Sequence, residues 1–452
     1  MTAEKVPGGK AAEVSPLRRH SSFLKLWTGQ SVSLLGSSVT TLALPLTAIY
    51  TLHAGAEQIG LLKAVLWLPY LLIALWVGAW CDRHRRRRVM IAANVGQTLA
   101  IGSVAVLGLT RMLTLPLLCV AVFVAGSLAV FFDLSYNAFV PSIVARSQLV
   151  SANSRLQSSA SVAQIAGPGL AGLIVEFFVA PVALLVDAAS FVVSAVMLSS
   201  IHDNEPPVPR PTGSEIGVWA QIRTGLAIVL RNPLLRSLMG NASTYNLFSQ
   251  WMAALLVLFE VHDLGLRPGT IGLVAGTAAI GALAGSALAG RVTRSLGIGG
   301  ALLLATFAGP VGMLAVPFAP AAHRVLAAVI VAAGLAVSNV GTSLASVVSI
   351  SVRQAVTPRH AIGRMTATYK FMTYGLITVG ALGGGVTGQL LGLRTGLLIG
   401  AIGLLGSIAW IVFSPFPRLR ELPVPEQETF VAAAATATAQ SPSATGAVPS
   451  PE

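Results

Sequence analysis

The sequence predicts an all-α polytopic membrane protein, with twelve transmembrane helices in two pseudo-symmetric bundles of six. Three observations predict it. Of the 452 residues 54% are apolar and only 10% charged, and the mean hydropathy is +0.77. An ordinary soluble domain carries about 25% charged residues, so this chain has too little charge to coat a globule of its size. Apolar runs of about 20 residues, the length a helix needs to cross the hydrocarbon, recur along the chain between short polar breaks. Finally, the basic residues are gathered in alternate breaks.

That asymmetry sets the topology. With both termini inside, Arg111, Arg267, Arg324 and Arg394 are the only basic residues in outer loops, and Lys63 lies within a span. The other 24 of the 29 Lys and Arg fall on the inner side, as the positive-inside rule requires. The net charge of +13 therefore orients the chain in a membrane and does not point to nucleic acid. The two cysteines, Cys81 and Cys119, fall near opposite faces, so no disulfide is predicted. Lys5, Lys10, Arg18 and Arg19 precede an apolar run too long for a signal peptide, which is therefore the first span.

In chain order, residues 1–22 are polar and predicted to be a disordered cytoplasmic segment. A bundle of six spans covers 23–201: Phe23–Leu52 with Pro45 placed to kink it, Gln58–Trp80, Val89–Leu109, Leu115–Phe139, Leu156–Val179 and Val182–Ile201. All should be helices, because lipid offers no partner for an open strand edge. Residues 202–233 form a cytoplasmic linker. There Thr212-Gly213-Ser214-Glu215 has capping-box spacing, and Ile216, Trp219, Ile222, Leu226 and Val229 recur at helical spacing with Gln221, Arg223 and Arg231 between them. This amphipathic helix either lies on the inner membrane surface or packs on the loops. The second bundle, 234–414, holds Leu238–Phe259, Ile271–Ala289, Ile298–Phe318, Val325–Ile350, Met365–Leu391 and Leu393–Phe413. Residues 415–452, rich in Pro, Ala, Thr and Ser, form a disordered cytoplasmic tail.

A faint repeat relates the halves. Asn153–Gly172 resembles Thr366–Gly385, with Gly167 on Gly380 and Gly172 on Gly385. Gly290-Arg291-Val292-Thr293-Arg294 is a worn copy of the loop between spans 2 and 3, with Gly290 in place of Asp82 and Arg291 in place of Arg83.

That loop, Gly78-Ala79-Trp80-Cys81-Asp82-Arg83-His84-Arg85-Arg86-Arg87-Arg88, resembles the signature loop of the major facilitator superfamily. It departs from the pattern where Arg85 replaces a second glycine. Further blocks sharpen the resemblance: Phe132-Asp133, Val140-Pro141-Ser142, Ser151-Ala152-Asn153-Ser154, Gly167-Pro168, Val186-Asp187-Ala188-Ala189-Ser190-Phe191, Ser351-Val352-Arg353-Gln354, Thr357-Pro358 and Gly363-Arg364-Met365. Together they are similar to the bacterial branch containing macrolide-efflux proteins and the enterobactin exporter. The resemblance implies a twelve-helix transporter; with no nucleotide-binding loop or metal-ligand cluster in the sequence, an ATP-driven pump or membrane enzyme is not expected, nor a cofactor or metal. In that family the loop acid meets the start of span 11 when the inner gate is shut. This makes Gly78, Asp82, Arg83 and Arg86 a conformational latch: a helix N-terminus carries about half a positive charge and unpaired N–H groups that Asp82 can satisfy.

Gln164-Ile165-Ala166-Gly167-Pro168-Gly169-Leu170-Ala171-Gly172 is similar to the Gly-Pro motif of antiporters in this superfamily. Pro168 removes a backbone donor and bends the helix. Gly167, Gly169 and Gly172 admit a close neighbour, expected to be span 8 at Gly281 and Gly285. Acids inside spans are scarce and functional by default. Asp133, about 12 Å from the inner end of span 4, is the first candidate proton site, with a structural hydrogen bond as the alternative. Asp187 is the second, in a block that also reads as structural. Glu176 and Glu260 close spans 5 and 7 at the outer face and are expected to be solvated. Span 4 lacks the arginine, and span 1 the acid, that many relatives carry; Gly36-Ser37 stands where some have an aspartate. Gln30, Gln164, Asn246, Gln250 and Asn339 are candidate cavity residues, with Trp67, Tyr70, Phe248, Trp251 and Tyr374 as an aromatic wall; helix packing is the alternative for each.

The expected protein is a monomeric, multi-pass transporter of the bacterial plasma membrane. It exports a small amphipathic molecule (a drug, a macrolide-like compound or a siderophore) in exchange for protons. Its partners are that solute, protons and the bilayer. An importer of the same fold and a non-transporting scaffold or sensor are the alternatives.

Overall fold

A computed structural model describes residues 20–81, 84–144, 148–201, 226–357 and 362–421. Spans are numbered in chain order, and the end of the bundle that carries Arg85–Arg88 is termed the basic end. Span 1 is Ser21–Leu52. Span 2 is Ala56–Leu72 continued by Ala74–Cys81, broken at Ile73 four residues after Pro69. Proline removes an interior helix bond, which accounts for the break. Spans 3 to 6 are Arg86–Leu109, Leu115–Ile143, Leu149–Phe177 and Ala180–Ser199. Span 7 is Pro233–His262. Spans 8 and 9 are one run, Pro268–Leu314, turned at Gly297, whose φ of 73° is the left-handed region glycine tolerates. Spans 10, 11 and 12 are Arg324–Val356, Ile362–Leu391 and Leu393–Val412.

Eight of these helices are long and apolar enough to cross a membrane by length and composition alone. Spans 2, 7 and 11 are not among them. Span 11 packs on both span 2 and span 7, and these three also line the junction and cavities described below.

The arginine cluster is less of a loop than expected, since Arg86–Arg88 form the first turn of span 3. There Arg87 Nε donates to Leu198 O at 2.8 Å, its Nη2 donates to Ser199 O, and Lys25 Nζ donates to Ser200 O at 2.6 Å. Cations thus satisfy the open carbonyls at the end of span 6. Most of the linker helix lies outside the described residues. Its end, 226–231, is helical, and Val229 is fully buried in a cluster with Leu235, Leu238, Ile298 and Phe416. That portion packs on the bundle.

The halves meet along span 2 against span 11 and span 5 against span 8. Both contacts are made through glycine. A Cβ on Gly60 would stand 2.7 Å from Ala381 O and the Gly385 Cα, and one on Gly172 would stand 2.5 Å from Pro268 O and 2.9 Å from the Gly272 Cα. These sites occupy equivalent places in the two halves, since Gly172 and Gly385 are the pair the repeat aligns. The span expected opposite the Gly-Pro motif is correct, but the residues are not. Gly281 and Gly285 face Ala336 O and Val340 O of span 10, while Gly269 and Gly272 face span 5. Gly281 lies nine residues beyond Gly272, roughly two and a half turns, and so on the opposite side of the helix. Gly167 packs on Ser38 of span 1, whereas a Cβ on Gly169 would meet no atom of another helix within 4 Å.

These contacts lie toward the end away from the arginines. At the basic end Ala74–Cys81 packs on span 4 instead of along span 11. Asp133, Gln157, Gln164 and Lys370 are exposed on spans 4, 5 and 11. Polar side chains at this depth facing lipid would be costly, so they mark a vestibule between the halves, open toward the basic end.

Candidate functional site

At the junction of the halves, Tyr70 of span 2 donates its hydroxyl to Asp133 Oδ2 on span 4. Lys370 of span 11 acts electrostatically on the same carboxyl from the other half. Trp67, Tyr70 and Tyr374 form an aromatic cluster across the junction, with centroids 5.5 Å apart for Trp67–Tyr70, 6.1 Å for Trp67–Tyr374 and 6.5 Å for Tyr70–Tyr374. Asp133 is thus an exposed carboxylate bonded to an aromatic donor of its own half and subject to the charge of a cation of the other. The sequence placed Lys370 among the inner-face basic residues. The structure places it about two turns into span 11, which starts at Ile362.

The first bundle encloses a cavity of about 400 Å³, lined by spans 1, 2, 3, 4, 6 and 7. Asp187 lies on its wall, 2% exposed, accepting from Ser37 Oγ at 3.4 Å and Ser190 Oγ at 3.2 Å. A Cβ on Gly36 would stand 2.7 Å from Asp187 Oδ1. The acid that span 1 lacks at Gly36-Ser37 is therefore supplied in space by span 6. Trp67 and Gln250 also line this cavity, as does Lys63, whose Nζ donates to Ala253 O of span 7. Glu260, on the same face of span 7 two turns further on, acts electrostatically on Lys63. Glu260 is 2% exposed, which corrects the expectation that it is solvated. It lies at the end of its own helix, but span 7 is surrounded there, and a cation from the other half faces it.

The second bundle holds a smaller cavity of about 190 Å³ between spans 7, 9, 10 and 11, lined among others by Asn246, Arg353 and Tyr374. Asn246 Nδ2 donates to Thr373 O at 3.1 Å. Gln30, Gln164 and Asn339 line neither cavity. Gln30 Oε1 is buried without a partner among the described residues, Gln164 is on the vestibule wall, and Asn339 donates to Leu335 O of its own helix at 2.9 Å. Phe248 and Trp251 belong to helix packing: they lie against Gly403 and against Gly383 and Gly384, and Trp251 Nε1 donates to Gly396 O at 3.0 Å.

Of the expected latch, Asp82 and Arg83 lie outside the described residues, Gly78 is in the last turns of span 2 and Arg86 begins span 3. A bond of the same chemistry is present at the other end of the bundle. Gly269 N, in the first turn of span 8, donates to Glu176 Oε2 of span 5 at 2.8 Å. A carboxylate from one half thus caps a helix of the other. Nothing in the run of span 5 marks Glu176 for this, since the sequence does not give its distance to span 8. No cluster of metal-ligating side chains occurs among the described residues.

The sequence model of the Major Facilitator Superfamily matches residues 26–378. The chain is 26% identical over 397 residues to the multidrug efflux pump Tap of Mycolicibacterium fortuitum, covering 86% of this chain and 93% of that protein. It is 22% identical over 273 residues to macrolide efflux protein A of Streptococcus pyogenes, covering 59% of this chain and 66% of that protein, just under two thirds of its length. Among solved structures, a bacterial homologue of the iron transporter ferroportin in an inward-facing state superposes with a TM-score of 0.72 at 17% identity, covering 88% of this chain and 99% of that one. The family and the fold are those of membrane transporters, not enzymes. The chain belongs to the major facilitator superfamily.

Proposed function

We propose that this transporter exports small amphipathic molecules from the cytoplasm in exchange for protons, by alternating access. The observation that carries the reading is the Asp133–Tyr70–Lys370 junction, a carboxyl at membrane depth with its partners drawn from both halves. Protonating Asp133 removes its attraction for Lys370 and so changes the free energy of one half relative to the other, which is how a proton gradient can drive their motion. The vestibule lies on the side that the positive-inside rule assigns to the cytoplasm, where an exporter takes up its cargo. The mixed apolar and polar walls of the first cavity suit an amphipathic solute, and relatives named for macrolide and multidrug efflux support the same direction. Glu176 and the two glycine contacts close the outer side in this state. Asp82, with Gly78, Arg83 and Arg86, is the counterpart we assign to the closed inner side. The protein works as a monomer in the bacterial plasma membrane, with both termini cytoplasmic.

Expression in a pump-deficient bacterial host, challenged with a panel of macrolides and other amphipathic toxic compounds, tests the direction. At least one compound should be tolerated at higher concentration and accumulate less in cells. Raised accumulation would indicate an importer, and unchanged tolerance across the panel would leave export unsupported.

A further inference from the structure

We propose that the cavity of the second bundle is a binding subsite for a single oxyanion, a carboxylate in its simplest form, with Arg353 as the counter-charge. Arg353 lies in the last turn of span 10 and points into this cavity. Its guanidinium lies 4.0 Å from the centroid of the Tyr369 ring, and its Nε donates to Ser349 O at 3.4 Å. Tyr369 is itself fixed, 8% exposed, with its hydroxyl donating to Leu238 O at 3.1 Å. The ring therefore acts as a rigid plate that sets the plane of the guanidinium. The terminal N–H groups remain available, and no carboxylate lines the cavity.

Arg353 sits at the basic end of span 10 with no acid among the described residues that line its cavity, so its charge is open to a ligand there. Most other polar groups around it are already engaged. Tyr245 is bonded to Thr342 at 2.6 Å, Thr306 donates to Leu302 O, and Thr373 donates to Tyr369 O. The hydroxyls of Ser346, Ser349 and Tyr374, also on the cavity wall, make no hydrogen bond among the described residues. The cavity thus offers a planar fork of donors and three hydroxyls, all able to donate and none negatively charged. That set fits a planar monoanion held bidentately by the guanidinium. A dianion would leave its second charge without a counter-charge, since Arg353 is the one cation on the cavity wall among the described residues. That the bound anion is part of the exported cargo rests on the transport reading. That the cavity prefers an anion does not.

The test uses the purified full-length protein and three matched probes: 1-naphthylacetate, its neutral amide 1-naphthylacetamide, and 1-naphthylethylammonium. Calorimetric binding should favour the carboxylate over the amide by roughly tenfold or more, with the cation weakest. Arg353→Gln should erase that preference. A second measurement needs no variant: modification of Arg353 by phenylglyoxal, followed by peptide mass spectrometry, should be slowed by the carboxylate and not by the amide. Equal binding of the three probes, or a modification rate that the carboxylate leaves unchanged, would overturn the proposal. Proton-coupled flux measured on the same preparation separates the two readings. Flux without anion preference removes only the subsite, and anion preference without flux removes only the exporter.

Discussion

Replacing Asp133 with asparagine is expected to abolish proton-coupled transport while exchange of substrate for substrate survives. The amide keeps the shape of the side chain and can still accept from Tyr70, but it cannot ionise. The variant therefore holds permanently the state in which Lys370 has no charge to meet. Exchange requires the halves to move with cargo bound and needs no net proton movement, so it should persist. Tyr70→Phe is the graded companion. It removes one donor to a charged acceptor, an effect of about tenfold on the step that needs the ionised carboxyl, and leaves the aromatic contact with Trp67 and Tyr374 in place. Counterflow and gradient-driven uptake in everted vesicles separate the two modes. Wild-type coupled flux from Asp133→Asn would remove this residue from the mechanism and leave Asp187 as the remaining candidate.

The second large effect is on stability. Lys63 and Glu260 are opposite charges on spans 2 and 7, one from each half, and Glu260 is 2% exposed. Removing one partner of a buried pair strands the other, at a cost of roughly 3–5 kcal/mol, whereas replacing both by apolar groups is often neutral. Lys63→Met alone and Glu260→Leu alone should each lower the thermal unfolding midpoint sharply, and the double variant should recover most of the loss. Each single change has a distinct secondary cost: Lys63→Met also frees Ala253 O, which now accepts from the ammonium. If the double variant shows the sum of the single losses, the charges do not act as a pair and Glu260 is held by something else.

The spans and their order were legible because a bilayer imposes a length and excludes charge, and both leave a mark on a linear chain. The repeat was legible too, and the structure gives it a physical meaning: Gly172 and Gly385 align because each is the point where one half touches the other. What the sequence could not give was which faces meet. The glycines of span 8 look like one stripe, yet Gly272 serves span 5 and Gly281 serves span 10. That Glu260 is buried and acts electrostatically on Lys63 could not be read from the chain, because the two residues lie far apart in sequence and on opposite sides of the interface between halves. Asp187 could be seen as a buried acid, but its place beside Gly36 and Ser37 of span 1 depends on a packing that only the folded bundle creates. Glu176 is exposed, as the sequence leads one to expect, but that its carboxylate also caps a helix of the other half depends on the same packing.

The most direct measurement of the central claim is proton movement in everted membrane vesicles containing the wild-type protein. Respiration acidifies their interior, and a pH-sensitive fluorescent dye reports the gradient. Adding a compound to which the protein confers tolerance should collapse part of that gradient, as protons leave in exchange for solute entering the vesicle. The same addition to vesicles carrying Asp133→Asn should leave the gradient intact. If tolerance is conferred and no compound that is moved disturbs the gradient, transport is not coupled to protons, and the role assigned to the Asp133 junction is wrong.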